Sequence, residues 1–136
     1  MWLPVQGLIS EETYFLEPSP YNTVTAPGDS LESITVTAYQ YRDNSLYVQA
    51  SRGFMPDVVP QVAAPGVQIR IPLLNGLYGN ASGTSLSAAQ TAGAAALLFE
   101  WAVIRGNQPY FTGSSVKNYI TRGAEREERM QYPNRD

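Results

Sequence analysis

The chain has 136 residues, of which 43% are hydrophobic and 15% charged, so its composition indicates a globular protein rather than a disordered one. The net charge is −3 and the sequence holds no lysine- or arginine-dense patch, which argues against a nucleic-acid binder. Without cysteine or histidine, disulfides, thiolate metal sites and most zinc, copper and haem chemistry are excluded, and no cofactor or metal is expected.

Residues 1–16 alternate loosely between apolar and polar side chains, which suggests strand and turn. They lack the basic and apolar regions of a signal peptide. Pro18 and Pro20 follow, and two prolines so close together exclude helix and central strand. We therefore divide the chain into residues 1–17 and residues 18–136.

Short β-branched or alternating stretches predict strands in the middle of the chain. Residues 34–39 form the clearest of them, and residues 46–48 form another after a turn at 43–45. Residues 68–71 alternate like an edge or surface strand. Residues 77–81, which have glycines beside and within them, are predicted to be a connector.

Residues 85–105 are dominated by alanine and leucine and predict a long helix, with Gly106 ending it. Small residues recur along it at helical spacing and are expected to pack in the core: Ala88, Ala92, Ala95 and Ala96. The longest apolar run, residues 92–99, is far shorter than the roughly 20 residues that span a bilayer, so no membrane contact is expected.

A second helix is predicted over residues 114–122, with Ser114 or Ser115 as its N-cap. Its apolar face is expected to consist of Val116, Tyr119 and Ile120. The mixed charges of residues 125–129 are expected to form a solvated surface. Strands first and helices late predict an α/β fold.

Ser85 is the candidate nucleophile. If it begins the helix, its backbone N–H is an unpaired donor at the positive end of the helix dipole and can stabilise an oxyanion. Gly83 would let the chain turn sharply and let a substrate backbone approach. A serine hydroxyl needs a base, however, and the chain has no histidine. The alternative is that Ser85 is merely a helix N-cap.

The sequence around Ser85 resembles the nucleophile region of subtilisin-like serine proteases, the subtilases. Four pieces carry the resemblance, in the family's order: residues 34–39, residues 51–53, residues 56–59 with 64–67, and residues 83–88 with 92–97. Three further segments resemble the germination-type proteases of spore-forming clostridia: residues 97–101, 116–124 and 132–135. The resemblance implies part of a three-layer fold, a parallel sheet with flanking helices. It also implies that residues 1–17 could end a β-sandwich (jelly-roll) insertion.

In this family an aspartate, a histidine and a serine form the catalytic triad, and an asparagine side chain provides the second oxyanion donor. Only the serine maps onto this chain, as Ser85, with Gly83 and Thr84 beside it as substrate-binding residues. The aspartate, histidine and asparagine segments would all lie upstream of Met1. The chain's own aspartates do not match the triad motif: Asp29, Asp43 and Asp57 are examples.

Two departures from the family pattern stand out. Ala89 and Gln90 occupy positions where the family usually has proline and histidine, although that histidine is not the catalytic one. The chain also ends where relatives continue into a glycine-rich closing segment. It therefore resembles the C-terminal half of a catalytic domain, and its half-sheet is expected to expose an unpaired edge.

The resemblance implies an endopeptidase fragment that acts on peptide or protein substrates once the missing N-terminal half is present. Like its relatives, such a protein would be secreted or spore-associated. Two alternatives stay open. One is a pseudoprotease that serves as a binding or regulatory module, and the other is an unrelated small binding domain.

Overall fold

The computed structural model of the chain describes residues 10, 12–19, 21–30, 32–53 and 59–126. Within this part of the chain, two small sheets come first and two helices follow. The α/β class is therefore confirmed. Residues 10 and 12–17 are not strand, and the rest of the predicted β-sandwich segment lies outside the described residues, as do residues 56–58 and 127–136.

The first sheet has three strands in the order β2–β1–β3. They are β1 (Val36–Gln40), β2 (Ser45–Leu46) and β3 (Val62–Pro65). β1 and β3 run parallel, whereas β2 pairs antiparallel with only the last two residues of β1. Thr37 and Ala38 point to opposite faces of β1 and are both buried, as expected for a strand covered on two sides. The predicted strand at residues 34–39 is thus confirmed.

The second sheet is an antiparallel hairpin of β4 (Ile69–Pro72) and β5 (Tyr78–Ala81). The strand predicted at residues 68–71 is confirmed, but the connector predicted at 77–81 is wrong. Gly79 and Asn80 have low strand propensity, yet the backbone of β4 pairs with them along the hairpin. The Arg70 guanidinium also lies 4.8 Å from the centre of the Tyr78 ring, a cross-strand contact that residue type alone does not signal.

Helix α1 (Thr84–Phe99) packs on β1 and β3 and continues into one π-helical turn, Glu100–Ile104. Gly106 follows with φ +73°, in the left-handed region that ends many helices. The predicted extent of this helix and the role of Gly106 are both confirmed.

Helix α2 spans Gly113–Gly123, and its N-cap is Thr112. The prediction of Ser114 or Ser115 as N-cap is wrong. The Thr112 side chain accepts a hydrogen bond from the Ser115 backbone N–H, and Ser115 reaches back to the Thr112 N–H. This reciprocal arrangement is a capping box, in which Ser115 is the third helical residue rather than the cap.

The main apolar core of the described residues lies between the end of α1 and α2. Ala102, Phe111 and Val116 are buried there. Partly buried side chains surround them: Ile34, Ala95, Leu98 and Ile120. Val116 and Ile120 therefore occupy the inner face predicted for α2, whereas Tyr119 is 45% exposed and lies edge-on to the Phe111 ring.

The rest of α1 does not pack as predicted. Ala95 is partly buried, but Ala88, Ala92 and Ala96 are exposed, because no element in the described part of the chain covers that face. Residues 84–104 are also long and apolar enough to cross a membrane by length and composition, with 11% of their most apolar stretch buried. The sequence prediction counted only the uninterrupted apolar run of residues 92–99 and therefore underestimated the length of the apolar helix. The same composition fits the core helix of a larger domain.

We predict that Thr112→Ala destabilises the chain by about 1 kcal/mol, because the N–H of Ser115 loses its acceptor. Ser114→Ala is the matched control, since Ser114 is exposed in the first turn of the same helix. The control should be neutral or slightly stabilising. Urea unfolding of both variants measures the difference, and equal free energies of unfolding would contradict the assignment of Thr112 as the cap.

The turn between β1 and β2 contains Asp43, a carboxyl group whose pKa is lowered. The backbone N–H and the hydroxyl of Ser45 both donate to Asp43 Oδ1, at 3.0 and 2.7 Å, and these bonds lower the pKa of Asp43, the backbone bond most. Stability from this turn is therefore present above the unfolded-state pKa of Asp43. It is lost as the pH falls through the lower folded-state pKa.

We predict that Ser45→Ala raises the pKa of Asp43 only part of the way, because the backbone donor remains. An NMR titration of the Asp43 carboxyl carbon measures the change. Ser33→Ala, which lies outside this turn, should leave the titration unchanged. A full return of the Asp43 pKa to its ordinary value would show that the backbone bond is unimportant.

Candidate active site

Ser85 is the second residue of α1, and its side chain is exposed. Gly83 is the N-cap of the helix, without a side-chain capping bond. The interpretation of Ser85 as the N-cap is therefore wrong. Within the described part of the chain, neither the backbone N–H nor the Oγ of Ser85 has a hydrogen-bond partner. Its hydroxyl and amide are both available to a ligand.

The first turn of α1 is electrostatically suited to an anion. It contains no acidic residue, and the Leu86 N–H donates to the Gly83 carbonyl at 3.1 Å. The free N–H groups at a helix start carry the positive end of the helix dipole. An oxyanion formed next to Ser85 would therefore be stabilised there.

Gly83 has a different role from the predicted sharp turn. Its backbone is extended, with φ 161° and ψ 153°, so its conformation does not require glycine. Its N–H donates to the Gly66 carbonyl at 2.8 Å, which fixes the start of the helix against the loop after β3. A β-carbon on Gly83 would meet no atom within 4 Å. This open space is compatible with a substrate backbone, and the substrate-binding roles of Gly83 and Thr84 stay predictions.

Gly66 brings the end of β3 unusually close to α1. A β-carbon there would lie 2.7 Å from the Ala38 Cβ and 2.9 Å from the Gly83 carbonyl oxygen, and would collide with the Ser87 hydroxyl. Contacts below 3.0 Å require the surrounding atoms to move. The bare backbone of Gly66 is therefore what allows the helix start to lie on the strand end.

Two side chains of α1 hold the carbonyls that precede Gly66. The hydroxyl of Ser87, which is completely buried, lies 2.9 Å from the Ala64 oxygen and 3.2 Å from the Pro65 oxygen. Gln90 Nε2 donates to the Pro65 oxygen at 3.0 Å. Sequence reasoning assigned no role to Ser87 and noted Gln90 only as a departure from the family pattern. Their positions three residues apart place them on one face of the helix, but that spacing does not indicate their backbone acceptors.

The partners that a nucleophilic serine needs are not brought together here. The chain contains no histidine. Asp43 is exposed in the β1–β2 turn, where Ser45 binds its carboxylate, and Asp57 lies outside the described residues. Among the described residues, no cluster of three or more histidine, cysteine or acidic side chains could hold a metal.

Comparison with known proteins decides the family. The model of the subtilase family, Peptidase_S8, matches residues 16–135. The chain belongs to the subtilase family. Its structure is also similar to that of the CspB protease of Clostridium perfringens, with a TM-score of 0.83 and 38% sequence identity over 90% of this chain. It spans 27% of the length of that protease. Comparison with curated proteins gave no match.

These matches confirm the resemblance to subtilases that the motifs indicated, including the resemblance to a clostridial protease. The family model covers both sheets and both helices described above. The roles of Ser85, Gly83 and Thr84 and the division at residue 17 stay predictions.

We predict that Gly66→Ala destabilises the chain by about 1–3 kcal/mol, because the new methyl group overpacks the contact between β3 and α1. Gly93→Ala is a control of opposite sign. A β-carbon at Gly93 meets no atom within 4 Å, and alanine favours a helix interior by up to about 1 kcal/mol. Thermal unfolding of the two variants tests this. A Gly66→Ala variant as stable as the unaltered chain would contradict the close approach.

Proposed function

We propose that this chain is the nucleophile-bearing part of a subtilisin-like serine endopeptidase, with Ser85 as the nucleophile. The observation that carries the proposal is the position of Ser85, exposed in the uncapped first turn of α1 with its hydroxyl and backbone N–H both free within the described residues. Membership of the subtilase family, a family of serine peptidases, supports it.

The chemistry follows from that position. The Ser85 Oγ attacks the carbonyl carbon of a peptide bond while a base removes its proton. The carbonyl oxygen gains negative charge and lies near the Ser85 N–H, where the helix dipole favours it. The amine product leaves with a proton from the protonated base, and water then hydrolyses the acyl-enzyme by the same steps in reverse.

The base and its partners must come from outside this chain. Histidine is absent from the sequence, so the histidine, the aspartate and the oxyanion asparagine are assigned to a segment upstream of Met1. That segment would also complete the three-layer fold. It could cover the exposed face of α1 formed by Ala88, Ala92 and Ala96, and could pair with β1, where β2 reaches only Tyr39 and Gln40. The 136 residues alone are expected to be inactive.

The substrate in this proposal is a peptide or protein chain. Gly83 and Thr84 lie directly before Ser85, and the space beside Gly83 would admit an extended backbone. Metal and cofactor play no part in this chemistry. A pseudoprotease is the second candidate function, and the residues upstream of Met1 decide between the protease and the pseudoprotease.

In the proposed endopeptidase, residues 1–17 would be the end of a β-sandwich insertion, and residues 18–136 would be the C-terminal part of the catalytic domain.

The test begins with the gene sequence upstream of the Met1 codon and with expression of the extended protein. We expect an in-frame extension that encodes the aspartate, histidine and asparagine motifs. The extended protein should hydrolyse peptides and react with a fluorophosphonate at Ser85, and Ser85→Ala should abolish both, by about 10⁴-fold or more.

Ser114→Ala is the matched control, because it removes an exposed hydroxyl from the first turn of the other helix. It should retain full activity. An extension without the histidine would instead favour the pseudoprotease. An active extended protein that keeps its activity in Ser85→Ala would overturn the assignment of the nucleophile.

A further inference from the structure

The rotation of α1 about its own axis is weakly specified by apolar packing. The helix is rich in alanine, and its polar side chains are spread around its first turns rather than gathered on one face, so many rotations would bury similar apolar side chains. Of its residues, all of which the structure describes, only Ser87 is buried. A helix of this kind needs a polar contact to select one rotation, and Ser87 makes one.

The contact consists of two donors on one face of α1 and two carbonyls at the end of β3. The Ser87 hydroxyl shares its proton between the Ala64 and Pro65 oxygens, and the Gln90 amide donates to the Pro65 oxygen. We call these two side chains on their two carbonyls the polar clamp. Gly66, the next residue, makes room for it by lacking a side chain.

We propose that Ser87 and Gln90 are positioning residues for Ser85, a role that rests on the proposed function of that serine. Ser85 precedes Ser87 by two residues, so it lies about 200° away around the helix at 100° per residue. Holding the Ser87 face on the strand therefore turns Ser85 away from it. This agrees with a buried Ser87 and an exposed Ser85.

Gln90 is the more informative member of the clamp. It is exposed, so its hydrogen bond contributes little to overall stability, yet it lies five residues after Ser85 on the same helix and sets the same rotation. A neutral imidazole also carries one N–H donor, so a histidine at this position would be able to replace the Gln90 amide against the Pro65 carbonyl.

The first test measures the clamp itself, without any activity. Hydrogen exchange at the Gly83 amide is followed in the full-length gene product, because that amide donates to the Gly66 carbonyl beside the clamp. Gln90→Ala and Ser87→Ala should each speed this exchange, by about fivefold. Thr91→Ala is the matched control, since among the described residues the Thr91 hydroxyl bonds to the Ser87 carbonyl of its own helix and not to β3. It should leave Gly83 unchanged, and unchanged exchange in all three variants overturns the clamp.

The second test measures hydrolysis by the extended protein. Gln90→Ala should lower kcat by about 10- to 100-fold with KM within about twofold, because a misplaced nucleophile slows the chemical step and not binding. Gln90→His should restore kcat, whereas Gln90→Glu, which has the same shape but no N–H at neutral pH, should not.

The outcomes separate the two proposals. An unaltered protein that neither hydrolyses peptide nor reacts with a fluorophosphonate defeats the proposed function, while Gly83 exchange still decides whether the clamp exists. An active protein in which Gln90→Ala keeps its kcat defeats the positioning role alone. Loss of activity that Gln90→His does not restore also overturns it, because the donor would then not be what matters.

Discussion

The close contact between the end of β3 and the first turns of α1 is the constraint on which the candidate site depends. It exists because Gly66 has no side chain, so that the Gly83 carbonyl, the Ala38 methyl and the Ser87 hydroxyl can converge on one backbone position. The Gly66 carbonyl then accepts the Gly83 N–H, and this bond fixes where the helix begins. Ser85, two residues later, takes its place from that starting point.

The sequence indicated those elements whose signal is local. Residue type alone indicates three of them: β1 through its β-branched residues, α1 through its alanine-rich run, and the end of that helix through Gly106, which has a positive φ. The errors arose where a hydrogen-bond partner decides the structure and residue type does not identify that partner. β5 is a strand because β4 pairs with it, and Thr112 caps α2 because its hydroxyl, not that of Ser114, meets the Ser115 N–H. Packing overrides propensity at such positions.

The candidate site divides in the same way. Ser85 could be found from its surroundings, since residues 83–88 and 92–97 resemble the subtilase nucleophile region and the family model covers both segments. Ser87 and Gln90 could not, because their acceptors are backbone carbonyls of Ala64 and Pro65, more than 20 residues earlier. Every residue has a backbone carbonyl, so residue type does not indicate which carbonyl accepts a hydrogen bond. Only the fold brings the two segments together.

In the proposed enzyme, the groups that position Ser85 differ from the group that accepts its proton, because the former do not titrate near neutral pH. The contacts that position Ser85 involve a serine hydroxyl, an amide and backbone groups, which do not titrate near neutral pH. The whole chain lacks histidine and cysteine, the side chains that most often titrate there. In the proposed enzyme, this half would hold the nucleophile in one place at any pH. The half that supplies the base would then set the dependence of hydrolysis on pH, because the general base has to change its protonation during the reaction.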